Sequence, residues 1–92
     1  VRRILATATG RDFADRRDTA IIRVLFDTGA RLGELVNLTV DGWDRRNDFL
    51  TLTGKTGTRV VPAAPSTGEA LSRYLRVRRE HPHAHLPALW LG

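Results

Sequence analysis

A chain of 92 residues, 41% apolar and 27% charged, has material for one modest core and excludes a multidomain arrangement. It has no cysteine and no run of eighteen apolar residues, which excludes disulfides, thiolate metal sites and a membrane-spanning helix within this sequence. The net charge of +5 sits mostly in the back half, where residues 55–92 hold six cations against two acids while 1–54 hold nine against eight, and this favours a polyanion, nucleic acid first.

In chain order, Val1 to Leu5 lack the apolar stretch and small-residue cleavage site of a secretory signal, so a cytoplasmic setting is expected. Asp15 as N-cap predicts a helix from Arg16 to Asp27. Its apolar residues Ala20, Ile21, Ile22, Val24, Leu25 and Phe26 cover most of the circumference, as in a central helix. Gly29 supplies the left-handed residue that ends it. A second, short helix is expected from Arg31, with Leu32, Leu35 and Val36 on one face at i, i+3 and i+4.

From Val40 the period changes to two. A short strand at Trp43, a turn at Asn47-Asp48, alternation over Phe49 to Thr53, a turn at Gly54-Lys55-Thr56-Gly57 and alternation over Thr58 to Val61 predict a three-stranded antiparallel sheet. Pro62 and Pro65 end it. Ser66-Thr67-Gly68-Glu69 has capping-box spacing and opens a helix in which Leu71, Tyr74, Leu75 and Arg78 share a face, until His81-Pro82 stops it. The remainder, His83 to Gly92, is apolar, proline-punctuated and without a period. The expected class is α+β, mainly helical with a small three-stranded antiparallel sheet. The absence of an initiator Met and the apolar ending Leu89-Trp90-Leu91-Gly92 read as a piece of a longer protein.

Arg31 stands at a helix start directly after a glycine turn, where its planar fork of donors and the first backbone N–H groups suit a phosphate. Glu34, one turn on, is placed to orient Arg31 or a neighbouring donor, or to form an ordinary surface ion pair with it. Lys55 is the only lysine among fifteen cations and occupies a hairpin tip. It is either a solvated turn residue or a general acid, since an ammonium can yield a proton to a departing oxygen and a guanidinium does not. Gly54-Lys55-Thr56 mimics the end of a Walker A loop, but Phe49 stands where that motif needs glycine, and a strand follows where it needs a helix. His81, His83 and His85 alternate, but no cysteine is present, and a polar turn after a helix explains them better than a metal site. Tyr74, the one tyrosine, falls on the buried stripe of its helix and reads as a core residue with its hydroxyl at the rim.

Three segments in this order and spacing resemble the opening of the catalytic domain of tyrosine recombinases of the phage integrase type: Arg17 to Leu35 with Asp27-Thr28-Gly29-Ala30-Arg31-Leu32-Gly33-Glu34-Leu35, then Leu38 to Asp41, then Gly54-Lys55 with Arg59 and Val61-Pro62. The likeness continues through Leu71 to Arg79 and into Leu89 to Gly92. It implies that Arg31 contacts the scissile phosphate, that Glu34 supports the site, that Lys55 assists departure of the 5′ oxygen, and that Arg59 joins Arg31 and Lys55 on DNA. It also implies double-stranded DNA as partner, a parent that self-assembles on DNA, no metal, no ATP and no other cofactor. The family's His-x-x-Arg cluster and its tyrosine nucleophile are missing. His81, His83 and His85 are followed three places on by Ala84, Leu86 and Ala88. Residues 1–92 are therefore expected to be a truncated catalytic domain, inactive alone, with no nucleophile of its own. The alternative is a non-catalytic helix-turn-helix module in which residues 31–38 read the major groove through Arg31, Glu34 and Asn37, with the hairpin as a wing.

Overall fold

In the computed structural model, which describes residues 10–92, helix α1 (Arg11–Thr28) leads into a five-residue helix α2 (Leu32–Val36). A single 3₁₀ turn (Val40–Gly42) then enters strands β1 (Trp43–Asp44), β2 (Phe49–Gly54) and β3 (Gly57–Pro62), and helix α3 (Pro65–Arg78) follows. The opening stretch read above for a secretory signal lies outside the described residues. The α+β class with three strands is as expected. The sheet is antiparallel in the order β1-β2-β3.

Helix α1 begins one turn earlier than Asp15 would set it. Gly10 is the N-cap, and the reason is Phe13, whose buried ring lies 5.6 Å from Tyr74 and 5.2 Å from His81. Burying that ring contributes on the order of 2 kcal/mol, more than the ~1 kcal/mol of a side-chain cap at Asp15. The helix is also not covered all round. Phe13, Ala20 and Val24 face the core, whereas Ile22 is exposed and Phe26 is 86% exposed. In α2 the expected apolar stripe is split in the same way: Leu35 is buried, while Leu32 and Val36 are 73% and 62% exposed.

The β1–β2 turn is built by Asp44, whose carboxylate accepts from the backbone N–H groups of Arg46 and Asn47 and from the Asn47 side chain. Those bonds hold its pKa below the ordinary aspartate value, the Asn47 side chain contributing most. Asp48 follows in a left-handed conformation at φ 58°. In β2 the alternation is realised, with Leu50 and Leu52 fully buried. Strand β3 departs from it, because it is an edge strand whose inward positions are Arg59, opposite Leu52, and Val61, opposite Leu50. Only Val61 reaches the core.

Helix α3 does not use the Ser66–Glu69 capping box. Pro65 takes the first helical position and Ala64 the cap, so Ser66 falls two residues too late to cap. The Ala64 N–H donates instead to Asp27 Oδ2 of α1 at 2.7 Å. The helix ends at Arg78, before His81-Pro82. The aperiodic tail proves to be firmly anchored. Leu89 and Leu91 are buried, Thr39 pairs with Ala88, and the Leu89 N–H donates to the Leu38 carbonyl at 2.9 Å. Arg78, only 5% exposed, donates to the carbonyls of Ala84, Leu86, Ala88 and Leu89. A buried guanidinium spread over backbone carbonyls is how a chain without a period is held in one shape.

Candidate active site

The site forms where α1 ends. Gly29 adopts φ 65°, and its N–H donates to the Leu25 carbonyl at 3.0 Å. Thr28 braces the turn by donating to the Val24 carbonyl and accepting from the Ala30 N–H. The chain emerges at Arg31, the N-cap of α2, in an extended conformation with its side chain exposed.

Glu34 is buried, 6% exposed, and it organises everything around it. One carboxylate oxygen, Oε1, accepts from the Arg31 backbone N–H at 2.9 Å. Both oxygens accept from Arg59, which donates through Nε and Nη2 at 2.9 Å each in a parallel fork. Of the roles open to Glu34, the ordinary surface ion pair with Arg31 is not the one formed: Glu34 fixes the backbone of Arg31 and spends its charge on Arg59. The Arg59 fork, followed by the Arg31 N–H, pulls the Glu34 pKa from 4.5 to about 2, so the carboxylate stays ionised at neutral pH. The pair raises the Arg59 pKa in return.

The β2–β3 hairpin closes over this carboxylate. A Cβ at Gly54 would stand 3.0 Å from Glu34 Cγ, so glycine is what lets the strand come this close. Asn37 Nδ2 donates to the Thr53 carbonyl at 3.1 Å, and Arg31 Nη1 reaches Thr56 Oγ1 at 3.4 Å. Lys55 projects from the two-residue tip. A cleft of about 140 Å³ is lined by Arg31, Gly33, Glu34, Gly54, Lys55 and Thr56, and a second of about 440 Å³ shares Arg31, Glu34 and Thr56 and adds Arg59. Of the three cations, Arg59 is neutralised by Glu34, which leaves Arg31 and Lys55 as exposed positive charges on one cleft.

Arg31, Glu34, Lys55 and Arg59 are thus brought together. Sequence reasoning missed Thr56, Asn37, the close approach at Gly54 and the Arg59–Glu34 fork. The fork had a signal: Arg59 lies on the inward side of its strand, two residues from Val61, and an inward arginine demands a buried acceptor. Tyr74 lies outside this group. Its hydroxyl is buried rather than at the rim, donating to the Leu89 carbonyl at 2.8 Å and accepting from the Leu91 N–H at 3.0 Å, and burial raises its pKa. His81 is also committed. Its Nδ1 accepts from the His83 N–H, so Nε2 carries the proton donated to the Gly92 carbonyl at 2.7 Å. Helix α2, at five residues, gives the helix-turn-helix alternative a recognition helix of little more than one turn, and Asn37 is engaged by the hairpin.

Comparison with known proteins shows the family. The family model described as "Phage integrase family" matches residues 1–86. The chain is 38% identical over 68 residues to a tyrosine recombinase XerC of Pseudomonas putida (strain W619), which covers 73% of this chain and 23% of that protein. It is 36% identical over 76 residues to XerC of Pseudomonas fluorescens (strain Pf0-1), covering 82% of this chain and 25% of the relative. A crystal structure of XerA recombinase superposes with a TM-score of 0.76 at 29% identity, covering 99% of this chain and 32% of that one. The chain thus spans about a quarter of the length of the curated relatives it matches.

Proposed function

Because the chain belongs to the phage integrase family, we propose that it supplies the phosphate-gripping front of a catalytic domain that breaks and rejoins double-stranded DNA within a longer, site-specific recombinase. The observation that carries this is the shared cleft: Arg31 and Lys55 both line it, while Glu34 ties the backbone of Arg31 to Arg59 on the hairpin that carries Lys55. Arg31 binds two oxygens of the scissile phosphate and stabilises the charge that builds on phosphorus. Lys55 protonates the departing 5′ oxygen, for which an exposed, movable hairpin tip is suited. Arg59 and Glu34 hold the two at a fixed separation, and Arg59 adds positive potential at the rim. The covalent 3′-phosphotyrosyl intermediate needs a tyrosine outside these 92 residues, because Tyr74 is locked in the core. A cytoplasmic setting and a parent that assembles on its DNA site fit this reading. Among the described residues no helix is long and apolar enough to cross a membrane.

Reading the gene beyond the codon for Gly92 tests the proposal first. A His-x-x-Arg cluster and then a tyrosine are expected, and the encoded protein should form an adduct with DNA that is lost on Tyr→Phe. In that protein Lys55→Ala should block cleavage of ordinary DNA and spare cleavage of a substrate whose 5′ bridging oxygen is sulfur, since a thiolate leaves without a proton. A reading frame that encodes neither cluster nor tyrosine would sink the enzymatic proposal.

A further inference from the structure

Helix α2 cannot hold Arg31 in place by itself. Five residues lie far below the length at which a helix is stable alone, and two of its three large apolar side chains face solvent. Its front is tied by Glu34 to Arg59. Its back is tied by the tail: Trp90 Nε1 donates to the Leu35 carbonyl at 2.8 Å, and Leu35 is the residue whose own N–H donates to the Arg31 carbonyl at 2.9 Å. The indole is itself fixed, its ring 5.5 Å from that of Tyr74. The backbone on either side is held by Arg78 and the Tyr74 hydroxyl through the Leu89 carbonyl, and by the bonds from Leu89 to Leu38 and from Val40 to Pro87. A path of short bonds therefore runs from α3 through the tail to α2 and ends one helical turn behind Arg31.

We propose that Trp90 is a positioning residue for Arg31: its indole N–H, anchored by the tail, sets the seat of α2 and so the aim of the phosphate-binding guanidinium. The inference rests on the reading of Arg31 as a phosphate ligand. Leu89 and Leu91 fill the core whatever stands between them, whereas the Trp90 ring is only partly buried, and its distinctive contribution is the one donated hydrogen bond.

The test is a double-mutant cycle on binding of a fluorescein-labelled DNA duplex by the 92-residue chain, with Trp90→Phe and Arg31→Ala alone and together. Benzothienylalanine at position 90, introduced by chemical ligation, removes only the N–H and keeps the ring, so a folding defect in Trp90→Phe does not blur the outcome. Expected is a loss of about fivefold in affinity from either change at position 90, and no further loss when Arg31 is already alanine. Unchanged affinity on removing the N–H, or the same fivefold loss in the Arg31→Ala background, overturns the proposal. If Arg31→Ala itself leaves affinity unchanged, the phosphate reading falls, and this inference falls with it.

Discussion

Glu34 is the residue on which the site turns, since one buried carboxylate serves a backbone N–H and a two-pronged guanidinium. Its carboxyl is held at about 2 when folded and returns to 4.5 when unfolded. The folded chain thus binds this proton less readily, and Glu34 contributes its full stabilisation above pH 4.5 and loses it as the pH falls towards 2. Acid titration followed by circular dichroism should show unfolding in that window. Glu34→Gln should be less stable at neutral pH and should lack that component of the acid transition, because an amide cannot satisfy both prongs of Arg59. At this scale the sequence was informative about which residues gather at the cleft and less so about whom they touch. Arg31, Glu34 and Lys55 stood out by residue type and spacing and Arg59 by the family resemblance alone, whereas the choice of Arg59 as the partner of Glu34 depends on strand register, which the local pattern carries only weakly.

Among the elements, the hairpin and α2 act as one unit because Gly54 permits close approach. Gly54→Ala puts a methyl 3.0 Å from Glu34 Cγ, so the Glu34 side chain or the hairpin must give by a few tenths of an ångström. The expected result is a lowered melting temperature and weaker DNA binding, both in proportion to how far the Arg59–Glu34 fork is stretched. A variant with unchanged binding would show that the hairpin position is immaterial to the site. The tail is anchored by the buried Arg78, so Arg78→Met strips partners from four carbonyls and should cost about 3 kcal/mol or more in denaturant unfolding. Elements with strong periodicity, β2 and α3, were visible in the sequence. The start of α1 was misplaced because a tertiary contact of Phe13 outweighs a local cap. The tail was opaque because its order comes from Arg78 and Tyr74 of α3 and from backbone partners at Leu38 and Val40, with no period of its own.

At the scale of the whole molecule, Ile22 and Phe26 on α1 and Leu32 and Val36 on α2 leave apolar side chains in water at adjoining ends of two helices. The pattern that reads as a central helix in the sequence is covered on one side only in this chain. Such exposure drives association, and sedimentation should find the chain self-associating at high concentration, with Phe26→Lys reducing it. A compact monomer that binds no apolar dye would contradict this. Arg31 and Lys55 put two exposed positive charges on the cleft beside α2. Neutralising a phosphate releases condensed counterions, so each cation that touches DNA leaves its mark on the salt dependence of binding.

The most direct measurement is therefore the affinity of the chain for a DNA duplex across a range of salt concentrations, compared among the parent sequence, Arg31→Ala and Lys55→Ala. If both residues grip phosphate, each substitution flattens the plot of log affinity against log salt by about one unit, whatever the DNA sequence. A slope that neither substitution changes would mean that the cleft does not hold the DNA backbone, and the account of this site would be wrong.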